Sequence, residues 1–382
     1  MISDPVALLA FLFALIACAR WLEHAVPAVR TVSSAVVCTL LGIVLANLGV
    51  IPHASPTYEG VNTYAVPYAT VLVILGSDLR DLRAAGGAMV ACFAAASVGS
   101  FVGSLGAGLL FAPWLGAETW KLSGQFAGSF VGGGMNFVAI GRGLETEPAL
   151  FAAASMANNL STVPWMLAQM ALFAMLARHY RTGAVTGDAA DADAVSARVR
   201  DQWSHVDLTI TAMAVLAALP LAIMWAAARL SPLLPGFPLV LWQTTLALAV
   251  ALIPAVRRVP GATVLSYFAL HLFFVVIGTS AVIAELATSG PALFAFMVTI
   301  IVIHALIAYG SGWLFGADLA TVTVASQAAV GGPGSALALA MSMKWPSLVT
   351  PGIIVGIFGY AVGNYVGFAC AYATRAMLAG AQ

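Results

Sequence analysis

Apolar runs close to twenty residues long follow one another along nearly the whole chain, separated by short clusters of charge, glycine and proline. A helix that crosses a membrane needs about 20 such residues. Twelve segments result, at 5–22, 32–51, 61–77, 86–112, 119–142 and 148–178, then 206–230, 238–256, 262–284, 290–315, 317–344 and 347–378. Only 8% of the 382 residues are charged, against about a quarter in soluble domains. So little polar surface cannot cover a soluble particle, and the lipid bilayer is the expected partner. Lipid offers backbone groups no hydrogen bonds, which selects helices. The expected fold class is therefore an all-α polytopic membrane protein, and its expected location is a bacterial inner membrane. The run Pro5–Ala19, followed by Arg20 with no small-residue cleavage site, reads as a retained helix. The balance of 15 basic and 15 acidic residues leaves no basic face for nucleic acid. Cys18, Cys38, Cys92 and Cys370 sit apart in apolar runs and read as packing residues.

Two segments differ from the rest. Segment 119–142 contains Val131–Ala139 (VGGGMNFVA), and segment 317–344 contains Val330–Ala338 (VGGPGSALA). Inside a helix glycine costs about 1 kcal/mol and proline about 3, so both segments should break near their middles. A break at membrane depth frees backbone groups that only protein or a watery cavity can satisfy. The two stretches align without a gap at an offset of 199, with Val, Gly, Gly and the final Ala shared. Val71–Ser77 (VLVILGS) and Phe274–Thr279 (FVVIGT), in the third segment of each half, are also alike. The chain thus reads as repeat 1 (1–178), a polar linker (179–205) and repeat 2 (206–382). Each repeat has four helices, a broken segment and a long helix.

Charge placement bears on the topology. If every segment crosses, Lys and Arg divide almost evenly between the two sides. If both broken segments are re-entrant hairpins and the N-terminus is outside, one side collects 11, from Arg20 and Arg30 through to Lys344. The other keeps four, Lys121, Arg142, Arg229 and Arg375. Positive charge collects on the cytoplasmic side, which favours hairpins over broken helices that cross fully. Five crossings per half make the repeats inverted and let the two glycine tips meet near the midplane. Interrupted helices at matching places in two halves point to a transporter binding site.

At these residues the chain resembles a family of bacterial membrane proteins, domain-of-unknown-function family 819. The likeness spans essentially the whole sequence. It is most specific at Gly132–Ala139, at Ala325–Gly334 and at Pro351–Gly363. The Gly-Gly-x-Gly tips are also similar to those of sodium-coupled glutamate and 2-hydroxycarboxylate symporters, within the cation antiporter and anion symporter superfamily. That likeness implies inverted repeats, an elevator-type core moving against a scaffold, and a homodimer. One departure stands out: the family commonly carries Ala-Asp-Asn after the first tip, where this chain has Ala157-Asn158-Asn159. The missing acid puts proton coupling at that position in doubt.

The candidate ligand-binding residues follow from the breaks. Gly132, Gly133, Gly134, Gly331, Gly332 and Gly334 can bare backbone donors and acceptors, since half-helix N-termini favour anions and C-termini cations. Asn136 and Ser335 stand at equivalent places past the tips. Ser326 and Gln327 precede the second tip, and Gln125 and Ser129 the first. Ser155, Asn158, Asn159 and Thr162 lie at i, i+3, i+4 and i+7, on one helix face. Asn136, Asn158, Asn159 and Ser335 offer neutral oxygens suited to Na+. Interhelical hydrogen bonding is the plainer role for each of these side chains. Gly352, Gly356, Gly359, Gly363 and Gly367 suggest close helix contact, with Tyr360 and Asn364 nearby as possible cavity residues. His271 and His304 lie deep, whereas Asp78 and Glu285 fall at segment ends. No metal-ligand spacing, catalytic triad or nucleotide loop is present, so no cofactor is expected beyond Na+ as a coupling ion. The expected function is sodium-coupled symport of a small organic solute, an organic anion or an amino acid-like molecule. The alternative is a cation/proton antiporter using a histidine. A membrane enzyme lacks grouped catalytic residues, and a sensor subunit lacks a soluble output domain.

Overall fold

The computed structural model describes residues 2, 4–26, 34–76, 82–180, 206, 208–279 and 283–380. Most of the polar linker, Asp78 and the side chain of Glu285 lie outside the described residues. So do Arg30, Arg80, Arg181, Arg198 and Arg200. In chain order the main helices are α1 (Pro5–Ala25), α2 (Ser34–Asn47), α3 (Pro56–Leu75), α4 (Gly87–Leu115), α5 (Thr119–Gly132), α6 (Gly134–Gly143) and α7 (Pro148–Leu176). They continue with α8 (Ile210–Leu230), α9 (Leu239–Ala251), α10 (Ala262–Thr279), α11 (Ile283–Leu314), α12 (Leu319–Ser342) and α13 (Pro346–Gly380). Among the described residues, seven stretches are long and apolar enough to cross a membrane, with α2 and α9 as shorter apolar helices. The chain is an all-helical, multi-pass membrane protein.

The second helix of each half is shorter than its apolar run. At 1.5 Å per residue, α2 and α9 span only about 20 Å, less than the ~30 Å hydrocarbon core. Gly49, at φ 73°, turns the chain after α2. Pro254 disfavours helical backbone at the residue before it and closes off α9.

Both glycine breaks fall where the sequence places them. Gly133 has φ 80° and ψ −179°, and Gly332 has φ 74° and ψ −173°. These two residues stand 199 positions apart and share one backbone conformation, which only glycine adopts without strain. At Gly133 the chain turns back on itself. Lys121, near the start of α5, donates from Nζ to the carbonyl of Glu145 just past α6, at 2.9 Å. The Glu147 N–H reaches Glu118 Oε2 at 2.8 Å, and Gln125 Nε2 donates to Thr146 Oγ1 at 2.9 Å. Phe126 and Phe137 meet across the arms with ring centroids 5.3 Å apart. So α5 and α6 form an antiparallel hairpin with both ends together. In α12 the same fold-back holds, because Val324 and Ala336 both lie within 4 Å of a point above Gly352 on α13. A straight helix would separate them by about 18 Å. Ser335 Oγ closes this second tip by donating to the carbonyls of Gln327 (3.3 Å) and Gly332 (3.0 Å).

Helix α13 runs along both hairpins, and its glycines set the distance. A Cβ at Gly352 would meet Val324, and one at Gly356 would lie 2.7 Å from the Pro333 nitrogen. Further along, a Cβ at Gly359 would lie 2.1 Å from the Val131 carbonyl oxygen, and one at Gly367 2.7 Å from that of Gly124. These are backbone-to-backbone contacts of the small-residue type, as the four-residue spacing suggests. Elsewhere α4 packs along α11, where Gly99 and Gly103 admit the backbone of His304 and Ile300. Helix α2 packs on α10 and α9 on α3, while α1 lies against α2 and α8 against α9. At one end of the molecule Arg375 lies 4.9 Å from the centre of the Trp120 ring, beside Lys121. Three of the four residues assigned to the charge-poor side, Lys121, Arg142 and Arg375, thus flank the ends of α5, α6 and α13.

Substitution at the glycine contacts has a sharp expected outcome. Gly359→Val should destabilise the detergent-purified protein by about 1–3 kcal/mol or more. Gly310→Ala, at a glycine with nothing within 4 Å of the added Cβ, should be neutral or gain up to ~1 kcal/mol. Thermal unfolding of the two variants side by side checks this.

Candidate functional site

The two hairpin tips converge on one side chain. The Tyr360 ring lies 3.2 Å from where a Cβ on Gly133 would sit, and its hydroxyl 3.6 Å from the same point on Gly332. Beneath this tyrosine lies a cavity of about 280 Å³. The first tip supplies Ser129, Gly133, Gly134 and Met135, and the second Val330 and Gly331. Helix α7 presents Asn158, Asn159 and Thr162 from its polar face. Helix α10 closes the far wall with Tyr267, Leu270, His271 and Phe274. No acidic, lysine or arginine side chain is among the lining residues.

The α7 face touches both tips. Asn159 Oδ1 and Asn158 Nδ2 lie 3.7 and 4.0 Å from the Cβ position of Gly134, and Thr162 Cγ2 lies 2.6 Å from that of Gly331. Asn158 is 5% exposed, and its Oδ1 has no hydrogen-bond partner among the described residues. The same is true of Asn159 Nδ2 and, one turn earlier, of Ser155 Oγ. A buried polar atom left unpaired costs about 1–3 kcal/mol, and such groups mark places where water, an ion or a solute completes the pairing. Ser155 itself is buried beside the cavity lining rather than in it. Gln327, fully buried below Gly331, likewise has both amide atoms unpaired among the described residues.

Other candidates from the sequence are held in structural networks. Asn136 Nδ2 donates to the Tyr360 carbonyl (3.1 Å) and to Asn364 Oδ1 (2.9 Å), and Asn364 Nδ2 donates to Thr244 Oγ1 (2.9 Å). This chain of amides fastens the first hairpin to α13 and α9, so Asn136 and Asn364 stay out of the cavity lining while Tyr360 enters it. Ser326 and Ser335 are also engaged away from the lining, and Gly132 packs on the Gly359 carbonyl. Gly334 faces open space. Gln125 braces the base of the first hairpin.

The two deep histidines play different parts. Ser100 Oγ donates to the Phe130 carbonyl at 2.6 Å, so its lone pair takes His304 Nδ1–H at 2.9 Å. His304 Nε2 then accepts from Ser326 Oγ at 2.8 Å. A neutral ring, wholly buried, thereby ties the last turn before the first tip to the arm of the second hairpin. His271 is different, because it lines the cavity. Its Nδ1–H donates to the Tyr267 carbonyl (2.7 Å), and its Nε2 accepts from Ser34 Oγ (2.8 Å). Arg20 Nη1 also donates to Ser34 Oγ (3.3 Å), and Arg20 is ion-paired with Glu23.

Sequence reasoning missed the wall formed by Tyr267, Leu270 and Phe274. These residues share a helix face with His271 at spacings of three and four, which was the available signal. A larger crevice of about 920 Å³ between α7 and α11 is almost wholly apolar and is not where the polar groups meet. Among the described residues no group of three His, Cys, Asp or Glu could hold a metal ion.

Comparison with known proteins agrees with the architecture. A family model described as protein of unknown function (DUF819) matches residues 10–377. The chain is 30% identical over 355 residues to the uncharacterized membrane protein YjcL of Bacillus subtilis (strain 168), with 88% of each chain covered. With helices and no strands among its described residues and matched over nearly its full length, the chain belongs to the DUF819 family of membrane proteins.

Proposed function

We propose that this protein is a secondary active transporter of the bacterial inner membrane, a sodium-coupled symporter for a small organic solute. The observation that carries this reading is the cavity beneath Tyr360, lined at once by both glycine breaks and by the α7 amides. Half-helix ends and unpaired amides around an enclosed space are how such proteins hold a desolvated solute and its ion. Sodium fits the neutral oxygens of Asn158, Asn159 and Thr162. Each hairpin arm of ten to fourteen residues reaches about halfway through the bilayer, as a re-entrant segment would.

Two inverted repeats account for the packing. The pair α2 on α10 has its counterpart in α9 on α3, and α1 on α2 has its counterpart in α8 on α9. The fourth helices, α4 and α11, pair with each other. The hairpins with α4, α7, α11 and α13 would form the moving core, and the remaining helices the scaffold and the homodimer contact. No enzymatic step and no cofactor enter this reading.

One observation favours a second reading, cation/proton antiport. His271 is the imidazole in the cavity wall, and it connects through Ser34 to Arg20. Sodium coupling predicts that His271→Gln keeps sodium-driven uptake in proteoliposomes. Antiport predicts that this variant loses flux driven by a pH jump.

Two further outcomes are expected. Purified protein should melt higher in NaCl than in KCl of equal ionic strength, and solutes found by screening should add to that shift only with sodium present. Uptake that follows pH alone and ignores a sodium gradient would overturn the proposal. Asn158→Leu removes an unpaired buried amide, so the free protein should gain up to ~1–3 kcal/mol of stability while sodium-dependent uptake is lost.

A further inference from the structure

The two tips are alike in backbone but opposite in the polar groups they leave free. At the first, two of the last four carbonyls of α5 are already answered: Ser129 O accepts the Gly133 N–H at 2.5 Å, and Phe130 O accepts Ser100; a third, that of Val131, packs against Gly359 of α13. What the first tip turns toward the cavity is the N-terminus of α6, a ten-residue helix opening with Gly134 and Met135. The Gly133 carbonyl takes the N–H groups of Asn136 and Phe137, and among the described residues none of the backbone bonds outside helices involves the N–H of Gly134 or Met135. Beside them stand two amides, with Asn158 Nδ2 4.0 Å and Asn159 Oδ1 3.7 Å from the Cβ position of Gly134, and the Nδ2 of Asn159 is buried and unpaired among the described residues. At the second tip the residue equivalent to Gly134, 199 positions on, is Pro333. Proline has no N–H, so that tip lacks the first donor of its half-helix. It lines the cavity instead with Val330 and Gly331, the C-terminal end of the first arm of α12. A helix N-terminus favours negative charge and a C-terminus positive charge.

The geometry points to a zwitterionic solute, a small amino acid, lying across the cavity with its carboxylate on Gly134, Met135 and Asn159. Its ammonium group faces Val330, Gly331 and the unpaired Oδ1 of Asn158. This rests on the transport reading above and narrows it: a dicarboxylate would need a second donor pole, and Pro333 takes the first N–H from the one the second tip could offer. The space of about 280 Å³ lies near the small end of ligand pockets, about 300–1,000 Å³, and the Leu270 and Phe274 side chains give it an apolar wall for a hydrocarbon body.

The test uses the full chain in lipid nanodiscs, read by thermal stability in NaCl. The probes are the common 2-amino acids, their carboxamides, the corresponding deaminated acids and succinate. Amino acids should raise the melting temperature, and the amides, deaminated acids and succinate should bind about tenfold or more weaker. Gly134→Pro copies the second tip, whose Gly332 already precedes a proline in the conformation that Gly133 adopts. It should keep the ligand-free melting temperature and lose amino acid binding by about tenfold or more. Pro333→Gly should retain binding. Asn159→Asp, nearly isosteric, should also lose binding, which covers the case in which Gly134→Pro fails to fold. Stabilisation by amides or deaminated acids equal to that by amino acids would overturn the inference. So would no stabilisation by any amino acid, or unweakened binding by Asn159→Asp or by a folded Gly134→Pro. A sodium-specific shift without any amino acid response would sink this inference alone and leave sodium-coupled transport standing.

Discussion

The arrangement depends on how closely α13 approaches the two hairpins. Its glycines bring helix backbone against the Val131 carbonyl on one side and the Pro333 nitrogen on the other. Apolar attraction between helices is weak when the surrounding solvent is itself apolar, and close backbone packing takes its place. Side chains of ordinary size on this face of α13 would push both hairpins outward. Tyr360 lies between Gly356 and Gly363 on the same helix, so the contact that fixes the hairpins also carries the residue on which their tips converge. The fold and the candidate site are in this sense one construction.

Closeness alone would leave broken backbone unsatisfied at membrane depth, and the chain answers most of it locally. Ser335 closes the second tip, Ser100 takes the last carbonyl turn before the first, and His304 joins Ser100 to Ser326 across two helices. Buried side-chain atoms without a partner among the described residues occur elsewhere too, on Gln125, Gln169 and Trp242 for example, but those of Asn158 and Asn159 belong to residues that line the cavity. They sit where the two tips and α7 meet. Unmet polar capacity facing a cavity is what a bound ligand can complete.

Much of this was legible in the residues. Glycine and proline at an offset of 199 marked both breaks near the middles of their segments, because their backbone cost is local and independent of what surrounds them. Helical spacing put Asn158, Asn159 and Thr162 on one face, and the glycine series on α13 announced close contact. What could not be read was which polar group would be absorbed by a neighbour. Asn136 looked like a ligand until Asn364 and the Tyr360 carbonyl claimed its amide. Ser326 was claimed by His304. Those pairings join residues more than twenty, and mostly more than two hundred, positions apart, and no local pattern encodes them. The α10 wall was hidden for another reason. Helical spacing groups Tyr267, Leu270 and Phe274 with His271, but apolar residues occupy most of that helix, so the direction in which this face turns is set by packing.

The most direct measurement of the central claim is water access at both tips at once. In a variant with Cys18, Cys38, Cys92 and Cys370 replaced, single cysteines at Ser129, Thr162 and Val330 are exposed to a small charged thiol reagent in intact membranes. Convergence of the two tips on one hydrated site predicts that all three react, and that a single bound solute protects all three together. Cysteines that stay inert to the aqueous reagent, or a solute that protects one tip and leaves the other unchanged, would contradict it.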